Sequence, residues 1–171
     1  MKLSPRAEKF VLHWGEMGTR WGINRTVAQI HALLYLSPKP LNAEEISDTL
    51  AVARSNVSNS LRELQNWGLA KIVHVLGDRR DHFETLKDVW AMFQIILRER
   101  KRREVDPSLA LLRGALTEKP VDETDKYTQQ RMTALLDFFE TTSACYDQLG
   151  ELSPGTLKQL AGMARKLGGL R

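Results

Sequence analysis

Cysteine is almost missing from this 171-residue chain: Cys145 stands alone, so no intramolecular disulfide can staple the fold. Long apolar runs are missing as well. The longest, Ala32–Leu36 and Val89–Phe93, fall far below the roughly 18 residues a membrane-crossing helix requires. The opening Met1-Lys2-Leu3-Ser4-Pro5-Arg6 soon meets Glu8 and Lys9, which is not the pattern of a secretory leader. A cytoplasmic protein with no membrane partner is expected. The four histidines (His13, His31, His74, His82) and Cys145 show no metal-ligand spacing. Gly15, Gly18 and Gly22 are not followed by the Lys-Ser/Thr of a phosphate loop, and no Ser or Cys sits in a nucleophile elbow. Glu44-Glu45 suits the first turn of a helix better than acid–base chemistry. Neither an enzyme, a cofactor nor a metal is expected.

What is present is ordinary in amount and uneven in placement. Apolar residues make up 42% and charged residues 27%, as in a soluble globular domain with room for a core. The net charge is +4, but residues 1–103 hold 17 Lys and Arg against 11 Asp and Glu, and residues 104–171 hold 8 against 10. A basic front and a slightly acidic back point to a polyanionic partner for the first part only.

The punctuation predicts mainly helices. Ser4-Pro5 reads as an N-cap and first helical position, opening a helix that runs toward Gly15 and Gly18. Val27, Ile30, Leu33 and Leu34 mark a second helix ending before Ser37-Pro38-Lys39-Pro40. Asn42-Ala43-Glu44-Glu45 has the shape of a capping box, starting a short helix with Ile46 and Leu50 on one face. After the Ala51-Val52-Ala53 corner, a helix over 53–66 turns Val57, Leu61 and Leu64 inward, and Gly68-Leu69 suits a left-handed C-cap with its apolar contact. Ala70–Leu76 reads as a strand, Gly77-Asp78-Arg79-Arg80 as a turn and His82-Phe83-Glu84 as a returning strand. Thr85-Leu86-Lys87-Asp88 is a looser capping-box shape before a helix carrying Val89, Trp90, Phe93, Ile96 and Leu97. Helices follow over 107–116, 122–150 and 154–167.

Two short helices around a tight corner, then a hairpin with a basic tip, make a winged helix-turn-helix. The fold class is mainly α with a small β-hairpin wing and helical dimerisation extensions. A helix entering the major groove buries one stripe and offers the other to phosphates and base edges. On 53–66 the second stripe is Arg54, Ser55, Asn56, Ser58, Asn59 and Arg62, with Glu63 the only carboxylate between Arg54 and Gln65. Arg can hold guanine bidentately and Asn adenine, while Ser meets phosphate or an adaptable edge. Arg79 and Arg80 at the wing tip can reach a minor groove, with Asp78 and Asp81 placed to orient a guanidinium. The alternative for this stripe is a solvated face on a winged-helix protein-interaction or architectural module without ligand sensing.

The phrases Val57-Ser58, Leu61-Arg62-Glu63-Leu64, Trp67-Gly68-Leu69 and Gly77-Asp78-Arg79-Arg80 resemble the MarR family of winged-helix repressors. Together with Arg98-Glu99-Arg100-Lys101-Arg102-Arg103-Glu104-Val105-Asp106-Pro107, they resemble its GbsR-like branch, over about residues 20–115. The resemblance implies a homodimer on double-stranded DNA with a palindromic operator, major-groove reading by residues 53–66 and a wing Arg in the minor groove. It divides the chain into an N-terminal dimerisation helix (1–22), the winged helix (23–86) and connecting and C-terminal dimerisation helices (87–171). Apolar residues including Leu135, Phe139, Tyr146, Leu157 and Leu160 are the candidates for the two-fold interface. Ala53 departs from the family's Ser or Thr cap, which leaves Ser55 as the expected cap. The branch also implies a small cationic, choline-like effector, for which Trp14, Trp21 and Trp90 are the candidate aromatic faces. The Arg98–Arg103 run could contact DNA phosphates or form the wet face of a connecting helix, and the second reading is the favoured one.

Overall fold

The computed structural model describes residues 2–168, and the chain forms two units, the first ending at Met92 and the second beginning at Phe93. The last residues of the 87–171 segment, 169–171, lie outside the described residues. Among the described residues no helix is long and apolar enough to cross a membrane.

The first unit begins with α1 (Pro5–Arg20), capped by Ser4, whose Oγ accepts the Ala7 N–H. The helix does not stop at its glycines, because they face its neighbour α2 (Arg25–Leu36). A Cβ on Gly18 would lie 2.4 Å from the Ala28 Cβ, and one on Gly15 would lie 2.6 Å from the Gln29 side chain. Their missing side chains let the two helices approach this closely. Seven residues of α2 from Val27 to Leu34 are buried, which makes it the central helix of the unit. The Lys87 ammonium closes its C-terminus by donating to the carbonyls of Leu34, Tyr35 and Ser37 at 2.7–2.9 Å.

Next come β1 (Leu41–Asn42), α3 (Ala43–Leu50), α4 (Arg54–Asn66), β2 (Ala70–Val73) and β3 (His82–Thr85). The capping box at α3 is complete: Asn42 Oδ1 accepts the N–H groups of Glu44 and Glu45, and Glu45 Oε2 accepts the Asn42 N–H. The sheet is antiparallel in the order β1-β3-β2, with Phe83 opposite Leu41 on one side and Ile72 on the other. Ile30, Leu33, Leu34, Leu41, Ile46, Val57 and Leu61 are almost wholly enclosed and form the core under α3 and α4.

Three local expectations are corrected. The strand expected over 70–76 ends at Val73, since the chain leaves the ladder for the wing tip, and a third strand of only two residues joins the far edge. The helix after the hairpin starts at Val89, not near Thr85. Asp88 Oδ1 caps it by accepting from Trp90 N and Ala91 N, whereas Thr85 Oγ1 donates to Leu69 O. Finally, α4 has no side-chain cap: Ala53 occupies the cap position and Ser55 makes no capping bond.

In the second unit the latter part of α5 (Val89–Arg100) passes through one turn of π-helix (Lys101–Val105) into α6 (Asp106–Ala115). Then follow α7 (Glu123–Glu151), capped by Asp122, and α8 (Pro154–Gly168). α6 and α7 pair, with Arg113 bridging to Glu140 at 2.8 Å. Leu109 and Leu112 are buried, yet none of the 29 residues of α7 is.

Candidate nucleic-acid interface

α4 is positioned from both ends. At its start, Ala51 takes a left-handed conformation (φ 52°), and the Ser47 hydroxyl donates to Val52 O at 2.7 Å, fixing the corner between α3 and α4. At its end, Gly68 (φ 71°) is the left-handed C-cap, and the Leu69 N–H donates to Leu64 O at 2.8 Å with Leu69 buried. Between them Val57, Ser60, Leu61 and Leu64 are buried against the core.

The opposite face holds all six expected residues. Arg54, Ser55, Asn56, Ser58, Asn59 and Arg62 are exposed, and helical periodicity places them on one broad face. Glu63, the lone carboxylate, is half-buried at its margin. Among the described residues no carboxylate pairs with Arg54 or Arg62. The face therefore offers two uncommitted guanidinium groups, with hydroxyl and amide groups between them. That combination can neutralise phosphates and form bidentate pairs with base edges.

The wing treats its two arginines differently. Asp78 accepts a fork from Arg80 (Nε to Oδ1 3.0 Å, Nη2 to Oδ2 2.6 Å) and the Arg80 N–H at 3.0 Å. Arg80 Nη1 also donates to Glu44 Oε2 at 3.2 Å, tying the wing to the first turn of α3. The Arg80 fork holds the Asp78 carboxyl well below the usual carboxylate range, and Asp78 in turn raises the Arg80 guanidinium. The buried His82 ring stands behind this latch, with Nδ1 donating to Arg80 O at 3.0 Å. Arg79 is exposed, with no partner among the described residues. Arg80 is thus the strut of the wing and Arg79 its free cation. Sequence alone did not separate them, because Glu44 lies 36 residues from Arg80.

Of the three candidate tryptophans, Trp14, Trp21 and Trp90, two come together. Trp14 stacks on Phe10 at 5.4 Å and meets Trp21 edge-on at 5.4 Å, and Trp21 is exposed. Trp90 is half-buried in the first turn of α5. The basic run is largely self-neutralised: Arg102 and Arg103 pair with Glu99, Arg100 with Glu104, and Lys101 with Asp106 and Asp147.

A sequence profile described as the MarR family matches residues 21–81, from the end of α1 to the wing tip. That segment, α2 to the wing, is similar to the MarR family. It is similar to the putative HTH-type transcriptional regulator YvaV of Bacillus subtilis (strain 168), 24% identical over 50% of this chain and 49% of that protein. It thus spans about half the length of that relative. It is also similar to the HTH-type transcriptional repressor GbsR of the same organism, 22% identical over 78% of this chain and 76% of that one. A solved structure described as a transcriptional regulator matches 85% of this chain and 97% of its own at a TM-score of 0.65 and 21% identity, which shows a common fold.

Proposed function

We propose that this protein is a sequence-specific DNA-binding transcriptional repressor, acting as a homodimer on a palindromic operator. The observation that carries the reading is the exposed, acid-poor face of α4, whose two arginines, like Arg79 of the wing beside it, have no partner among the described residues. In this reading Asn56 and Asn59 contact base edges, Arg54 and Arg62 contact phosphate or guanine, and Ser55 and Ser58 fill in at the backbone. Arg79 enters the minor groove, where narrow A·T-rich stretches have an enhanced negative potential. Arg80 holds the wing in place.

Dimerisation falls to α1 and the second unit. Leu135, Phe138, Leu149 and Leu160 are substantially exposed there, and a face of this kind is typical of a partner surface. Two copies related by a two-fold axis would set recognition helices about one DNA turn, ~34 Å, apart. A small quaternary cation is proposed as effector, held against the aromatic faces of Trp14 and Trp21, which already touch. Choline should then quench tryptophan emission and loosen operator binding over one concentration range, and both effects should vanish in Trp21→Ala.

The test of the reading is a map of the chromosomal sites that the protein occupies in cells. A small set of sites sharing an inverted repeat is expected. Occupancy without any common sequence, or none at all, would contradict it and favour a protein-interaction role.

A further inference from the structure

The wing carries one large apolar side chain, Leu76, that nothing among the described residues covers. Leu76 is fully exposed, at 104% of its reference area, and Val75 beside it is 40% exposed. Single exposed leucines are common on protein surfaces, so position must decide. Leu76 and Gly77 are the central residues of a turn closed by the Asp78 N–H donating to Val75 O at 3.0 Å. Gly77, at φ 84°, takes the left-handed conformation that the third position of a type II turn demands. The turn is held from behind by the Asp78–Arg80 fork and by Glu44. Asp78 is thereby committed within the protein, and Arg79 follows it without a partner. The tip therefore presents one uncovered leucine and one free guanidinium on a pre-shaped turn. A minor groove accommodates this pair well: its potential attracts the cation, and apolar side chains can wedge between its base steps.

We propose that Leu76 is the wedge of the wing, entering the minor groove beside Arg79 and prying at one base step in each half-site. This rests on the DNA-binding reading above. Pyrimidine–purine steps (TA and CA/TG) unstack most easily, so they are the steps favoured beneath the wing. Leu76 then contributes specificity at a position where no hydrogen bond is made.

The probe is a duplex that the wild-type chain selects from a random library, with 2-aminopurine substituted in turn at each step flanking the half-sites. Wild type should raise 2-aminopurine emission at one step per half-site. Leu76→Ala should abolish that rise, lose the TA or CA/TG preference and weaken binding about tenfold. Its salt slope should be unchanged, because no charge is removed. Leu76→Met should retain the wild-type behaviour, and both variants should melt with wild type because the side chain has no neighbours to lose. Unchanged affinity and emission in Leu76→Ala would overturn the wedge and leave DNA binding standing. So would a Leu76→Ala protein whose only change is its oligomeric state, which would make the tip a contact between copies. A wild-type chain that selects no duplex would remove both readings.

Discussion

Arg80 Nη1 lies 3.2 Å from Glu44 Oε2, so the wing is fastened to α3, the helix that precedes α4. Wing and α3 are therefore held together beside α4, the surface proposed to meet DNA. The neighbouring arginines should fail in different ways when removed. Arg79→Ala should weaken operator binding and reduce the salt slope by about one unit per protomer, with amide exchange in the wing unchanged. Arg80→Ala should weaken binding while speeding amide exchange across residues 74–81, because the fork to Asp78 and the tie to Glu44 are lost together. Hydrogen exchange with binding measured in parallel checks this, and identical exchange in both variants would refute the division of roles.

The α1–α2 crossing is set by a glycine. Gly18→Ala would push a methyl to within 2.4 Å of the Ala28 Cβ, so overpacking should cost about 1–3 kcal/mol despite alanine's better helix propensity. Adding Ala28→Gly should restore part of the loss by removing the atom met. Urea unfolding of the two single variants and the double variant measures the coupling.

Much of the first unit was legible because its signals are local. Asn42 and Glu45 stand three residues apart and form the capping box that their spacing announces, and Gly68-Leu69 closes α4 as a glycine and an apolar residue after a helix should. The six-residue face of α4 followed from period alone, once Val57, Leu61 and Leu64 were turned inward. What was missed is non-local or too short to leave a pattern. Glu44–Arg80 and Lys87 with the end of α2 join residues 36 to 53 positions apart. Strand β1 has two residues, too few for alternation. Gly15 and Gly18 signal helix termination in sequence, yet α1 continues through them because α2 needs the space. Position 53 is an alanine where a cap is expected, and the helix simply starts uncapped, with only the backbone bond from Val57 N to Ala53 O at 3.1 Å.

His31 should make the fold pH-sensitive. It is buried on α2, its Nε2 has no hydrogen-bond partner among the described residues, and burial pushes its pKa down to about 4 from 6.5. Between those values the unfolded chain binds the proton and the folded chain does not, so stability rises with pH. The contribution is fully present above about pH 6.5 and is lost as the pH falls toward 4, by about 3 kcal/mol in all. His31→Leu should remove this part of the pH dependence. Urea midpoints at pH 7, 5.5 and 4.5 test it: the stability gap between variant and wild type should widen in the variant's favour as the pH falls. A gap constant with pH would show that His31 titrates normally in the fold.

Most decisive for the account is the affinity of the wild-type dimer for its selected duplex, measured by fluorescence anisotropy between 50 and 200 mM salt. In the proposed dimer, Arg54, Arg62 and Arg79 of each protomer, exposed and without carboxylate partners among the described residues, would set six guanidinium groups against the duplex. The predicted result is a loss of about 10³-fold or more in affinity across that range, with a shallower slope in Arg54→Ala and Arg62→Ala proteins that remain folded. An affinity that stays flat with salt, or a slope that neither substitution alters, would contradict the assignment of α4 as the surface that meets DNA.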